Sequence, residues 1–104
     1  MAVLQNENHE LVISAVSTWE IAIKYSIGKL KLDGNPQRWI PEIILKMGLQ
    51  QLPISQRHTL RMSHLPFHHK DPFDRLLAGQ AQLEKMALLS PDKIFKKYKV
   101  TTIW

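Results

Sequence analysis

The sequence predicts an α/β domain, and three observations carry the prediction. Short aliphatic runs recur along the chain, as in the β-branched "ELVIS" (10–14) and in "ALLS" (87–90). Between them lie longer stretches whose apolar residues repeat at helical spacing, such as Trp19, Ile23 and Ile27. Strands alternating with helices require crossover connections, and crossovers build a small, mostly parallel sheet flanked by helices. A chain of 104 residues has room for one modest core, so residues 1–104 form a single domain.

Taken in order, "ELVIS" is a strand, and "STWEIAIKYSIGKL" (17–30) is a helix that Gly28 stops. Ser17-x-x-Glu20 fits a capping box at its start, and Glu20 with Lys24 forms a favourable i,i+4 pair. "NPQRWIPEIILKMG" (35–48) has an Asn cap, a first-turn proline and a closing glycine, and Pro41 predicts a kink or a restart. "LQQLPIS" (49–55) reads as a strand, "SQRHTLRMSHL" (55–65) as a short helix, and "PFHHKDP" as a loop. "FDRLLAGQAQLEKM" (73–86) is the clearest helix, with Asp71 as N-cap, Pro72 in the first position and Asp74 in the first turn. Its Ala78, Gly79 and Ala81 predict close approach to a sheet. "ALLS", a turn at "PDKIFKKY" and "VTTIW" (100–104) complete the series.

Composition excludes several classes. Hydrophobic residues at 44% and charged residues at 22% describe a folded domain rather than a disordered or fibrous one. No cysteine is present, which removes disulfides, thiol nucleophiles and thiolate metal sites. No apolar run approaches the ~20 residues of a membrane span, and no secretory signal opens the chain, so the expected compartment is the cytoplasm. Lysine and arginine number 14 against 9 acids, and the net charge of +5 favours a polyanionic partner. Lys70, Arg75 and the run Lys93, Lys96, Lys97, Lys99 are candidate phosphate contacts, with a solvated basic face as the alternative for the run. Trp19 and Trp39 sit on apolar helical faces as core or interface residues, and Met47, Met62 and Met86 read as core fillers.

In a parallel sheet the first turns of the crossover helices gather at the carboxyl edge, where ligands bind. Glu20, Asp71, Asp74 and Asp92 all belong near that edge by their positions after apolar runs. Crowded carboxylates repel one another unless they share a cation, and hard oxygen donors without cysteine favour magnesium or manganese. Each acid also has a local explanation: a capping box for Glu20, an N-cap for Asp71, a dipole-favoured place for Asp74, a turn cap for Asp92. His64 and His68 have the spacing of a zinc pair, but Pro66 between them argues against the helix such a pair needs.

The stretches "ISAVSTWEIAIKYSIGKLKL", "LPIS", "LPFHHKDPFDRLLAGQA", "LLSPD" and the closing Y-x-V-x-x-I-W together resemble the PIN-domain toxins of the VapC type, from about residue 10 to 104. The resemblance implies a metal-dependent endoribonuclease, the toxin of a bacterial type II toxin–antitoxin pair, with magnesium or manganese as cofactor and RNA and an antitoxin protein as partners. It implies metal-binding and catalytic roles for Glu20, Asp74 and Asp92, RNA contacts at Lys70 and Arg75, and capping or supporting roles for Ser17 and Asp71. Family members open with a strand ending in an "LLDTH"-like segment, whose aspartate is the first ligand, followed by a helix. This chain is expected to start after both, with no strand in Met1–His9. Two strand edges would then be exposed, which predicts a homodimer or other assembly covering them. The alternative function is a catalytically impaired remnant that binds an antitoxin or RNA.

Overall fold

The computed structural model describes residues 2–31, 34–66 and 71–103. Val3–Gln5 forms β1 and Leu11–Ser14 forms β2. Asn6 organises the turn between them: its Oδ1 accepts from the amides of Asn8 and Glu10 at 3.0 and 2.9 Å, and His9 takes a φ of 63°. Gln50–Leu52 is β3, Ala87–Leu89 is β4 and Thr102–Ile103 is β5. The sheet order is β3-β2-β1-β4-β5. β3 lies parallel to β2 and β5 parallel to β4, whereas β1 runs antiparallel to both of its neighbours.

Two expectations are corrected here. Residues 1–9 do supply a strand, and it occupies the centre of the sheet, where Leu4 pairs with Val12 on one side and Leu88 on the other. The inner edges of β2 and β4 are therefore paired rather than exposed, and the sheet is mixed. A three-residue strand is too short to display alternation. The sequence signal for it is the turn-forming "NENHE" between two aliphatic segments.

The helices are Ala15–Ser26 (α1), Pro36–Met47 (α2), Gln56–Ser63 (α3) and Pro72–Glu84 (α4), with a 3-10 helix at Lys93–Lys97. α1 leaves β2 with no intervening loop, because Ser14 ends the strand and caps the helix, its Oγ accepting from the Val16 amide at 3.0 Å. The capping box expected at Ser17 is not formed. Ser17 is buried inside the helix and donates its hydroxyl to the Ala2 carbonyl at 2.8 Å, which places Glu20 in the second turn. α2 begins at the Asn35 cap, runs through Pro41 as one helix, and ends at Gly48, whose φ of 62° closes it. α3 has a capping box in which His58 occupies the usual acid position, its Nδ1 accepting from the Ser55 amide at 3.0 Å.

Alternating residues of β2 divide the core between two faces. Val12, with Leu4 and Leu88, packs on Leu77, Ala78 and Ala81 of α4 and on Phe95 of the 3-10 helix. Ile13 packs on the other face against Ile40 and Leu49, with Trp39, Ile43 and Ile44 of α2 alongside. Ala78 and Ala81 meet the expectation of small residues toward the core. Gly79 instead faces α3, where a Cβ would stand 3.5 Å from the His58 carbonyl and the Met62 amide. Met62 and Met86 pack against the core, but Met47 is exposed. Among the described residues no helix is long and apolar enough to cross a membrane.

Leu4 is fully buried at the sheet centre. Leu4→Ala is expected to lower the unfolding free energy by about 2–5 kcal/mol, seen as an earlier urea midpoint. The same change at exposed Leu60 should stay within about 0.5 kcal/mol of wild type.

Candidate active site

α1 and α4 pack together where the Trp19 ring meets Phe73 edge-on, centroids 4.6 Å apart. Beside this contact lies a pocket of about 410 Å³ lined by Glu20, Lys24 and Lys29 from the α1 side and by Asp71 and Phe73 from the head of α4. Glu20 makes its expected i,i+4 ion pair, with Oε2 3.2 Å from Lys24 Nζ. Asp71 is the N-cap of α4, its Oδ1 accepting from the amides of Phe73 and Asp74 at 2.8 and 3.3 Å. Asp74 is half-buried in the first turn and does not line this pocket. Asp92 is exposed and caps the 3-10 helix, its Oδ1 accepting from the Ile94 amide at 3.0 Å.

Among the described residues, the acids that line this pocket are thus Glu20 and Asp71. Their proximity does not demand a dication, because Glu20 already pairs with the Lys24 ammonium and Lys29 also lines the pocket. In donor type the carboxylates suit magnesium or manganese. In arrangement they do not form a ready-made centre: among the described residues no three His, Asp or Glu side chains come together in a way that could hold a metal ion. The common centre expected for Glu20, Asp74 and Asp92 is not assembled there.

Arg75 corrects another expectation. It is buried, and its guanidinium turns inward to donate to the carbonyls of Pro66, Met62 and Leu65 at 2.9, 3.0 and 3.3 Å. It fastens the carboxyl end of α3 to α4, with only 7% of its surface exposed. Lys70 lies outside the described residues. Lys93, Lys96, Lys97 and Lys99 are exposed, as a basic face requires.

Sequence reasoning missed a buried polar cluster between these elements. Gln80 of α4 accepts the hydroxyl proton of Ser14 through Oε1, while its Nε2 lies 3.3 Å from both the Pro53 carbonyl and His58 Nδ1. His58 Nε2 stands 3.5 Å from Glu84 Oε1. The available signal was a lone amide inside the apolar face of "LLAGQA".

A family model for the PIN domain matches residues 1–100. The chain belongs to the PIN-domain family. This PIN domain is also similar to the curated protein Ribonuclease VapC16 of Mycobacterium tuberculosis (strain ATCC 25618 / H37Rv), with 33% identity over 58 residues. The matched stretch covers 56% of this chain and 41% of that relative, so the chain spans about two fifths of the relative's length. No solved structure matches the chain.

Arg75→Gln should destabilise the PIN domain by about 1–3 kcal/mol, since it removes a buried guanidinium that donates to three carbonyls at the end of α3. Any salt dependence of binding to an RNA probe should be the same in the variant as in the wild type. A drop of about one in the slope of log affinity against log salt would instead return Arg75 to the phosphate contacts.

Proposed function

We propose that this PIN domain is a metal-dependent endoribonuclease that hydrolyses RNA phosphodiesters as the toxin of a bacterial type II toxin–antitoxin pair. The family match over residues 1–100 carries the reading. Similarity to a protein named as a ribonuclease and a net charge of +5 support it. Glu20, Asp74 and Asp92 are the proposed acids, by resemblance. When bound, magnesium or manganese supplies charge neutralisation and an activated water. Asp71 fixes the start of α4 and holds the Asp74 amide, and Lys70 with the lysines of the 3-10 helix supplies contacts to the RNA backbone. The expected compartment is the cytoplasm. An apolar pocket of about 530 Å³ that includes Trp19, Ile40, Ile44 and Leu52 supports a protein partner, either the antitoxin or a second copy.

One observation favours a second reading, a binding module without catalysis. Glu20, Asp71 and Asp92 each already have a local partner, and no three-group cluster is formed among the described residues. Incubating the chain with RNA in magnesium, manganese or chelator separates the two. The nuclease reading expects cleavage in metal alone, reduced by about 100-fold or more in Glu20→Gln and in Asp74→Asn with Asp92→Asn, the scale of losing a charge-stabilising group. Cleavage that survives these changes rejects the assigned acids. Salt-sensitive RNA retention without cleavage establishes the binding module.

A further inference from the structure

We propose that Gln80 is a positioning residue: it sets the register of α1 against α4, and with it the spacing of the acids that the two helices carry. The catalytic part of this claim rests on the nuclease reading above.

The two helices touch at two levels. At one, the residue that starts α1, Ser14, meets Gln80 in the body of α4. At the other, Trp19 meets Phe73 in the first turn of α4. The pair therefore runs antiparallel, and with a rise of about 1.5 Å per residue the two levels lie roughly 8–10 Å apart along the helices. Two separated fastenings oppose both sliding and tilting. Glu20 follows Trp19 directly, and Asp74 follows Phe73. The acids thus sit at the aromatic fastening, and Gln80 is the other.

The aromatic contact is forgiving in direction, whereas the amide is not. Gln80 Nε2 faces two acceptors, the Pro53 carbonyl and His58 Nδ1, so Oε1 is left for the Ser14 hydroxyl. With its proton committed to Gln80, Ser14 Oγ accepts from the Val16 amide and so caps α1. His58 Nδ1 is an acceptor because the Ser55 amide donates to it. Ser14 and Gln80 are fully buried and His58 is 4% exposed, so a shifted helix would leave these groups without water to replace lost partners. One residue in this way ties together the head of α1, the end of β3, the head of α3 and the middle of α4.

The experiment uses Gln80→Met, which preserves length and removes both ends of the amide, and Ser14→Gly, which removes the hydroxyl but leaves an acceptable N-cap. RNA cleavage is measured in each variant and in the double variant. Trp19 emission is measured in a chain whose other tryptophans are phenylalanine. Misplacing a reacting group by about 1 Å costs up to about 100-fold in rate, so kcat should fall about 10- to 100-fold with KM within about twofold. The double variant should be no worse than the poorer single one. Trp19 emission should shift alike in both single variants. Additive losses in kcat, a rise in KM alone, or unchanged Trp19 emission would overturn the proposal. Should Gln80→Met not fold, Ser14→Gly carries the same readouts. A wild-type chain that cuts no RNA rejects the nuclease reading, and Trp19 emission then decides the register on its own.

Discussion

Continuity of the sheet depends on three residues. β2 with β3 and β4 with β5 are two parallel pairs, and in the described sheet they are joined through Val3–Gln5. An antiparallel strand can reach that place by a tight turn, whereas a parallel one would need a crossover of a dozen residues or more. The turn is built by Asn6, whose side chain satisfies two amides that would otherwise be left open. Glu10 adds a tie across the sheet, accepting from Asn6 Nδ2 through Oε1 and from Gln50 Nε2 through Oε2. Because Leu4 then stands between Val12 and Leu88, one apolar side chain makes the two halves share a core.

With the sheet closed, everything at its carboxyl edge follows from how the chain leaves the strands. β2 passes into α1 at Ser14, which pairs with Leu52 in the sheet, caps the helix and reaches Gln80. No loop separates strand from helix, so α1 inherits its direction from the sheet. α4 has further anchors besides Gln80: Asp71 caps its start, Arg75 binds it to the end of α3, and Gly79 lets α3 lie close against it. The Glu20 and Asp71 pocket lies where these two helices meet.

Much of this was legible in the sequence because it is local. The caps at Asn35, Asp71 and Asp92, the stop at Gly48 and the Glu20–Lys24 pair all follow from spacing within one or two turns. What escaped was decided by tertiary contact. Ser17 looked like the cap because a glutamate lies three residues on, but β2 ends at Ser14, and the sheet chose the earlier serine. Arg75 looked like a phosphate contact because it neighbours Lys70 and the histidines in sequence, yet three carbonyls around the end of α3 draw its guanidinium inward. Lys24 was legible as the partner of Glu20, whereas Lys29, beyond the end of α1, reaches the same pocket only through the tertiary fold.

The balance of charge in that pocket also ranks its acids by how readily each is released. Glu20 is held by a lysine that is half exposed, and an ion pair of this kind contributes about 0–1 kcal/mol. A cation can take the place of that ammonium beside Glu20, or an anionic group can draw the ammonium away, at little cost. Asp71 is different, since its Oδ1 serves two amides at the start of α4, and removing such a cap costs about 0.5–2 kcal/mol. The cap is the fixed wall of the pocket and the ion pair its adjustable one. Lysines at the pocket therefore offset its described acids without closing it to a positively charged ligand, and the lack of a preformed three-acid cluster among the described residues argues against a rigid cage there and leaves these acids available to ligands that bring their own charge.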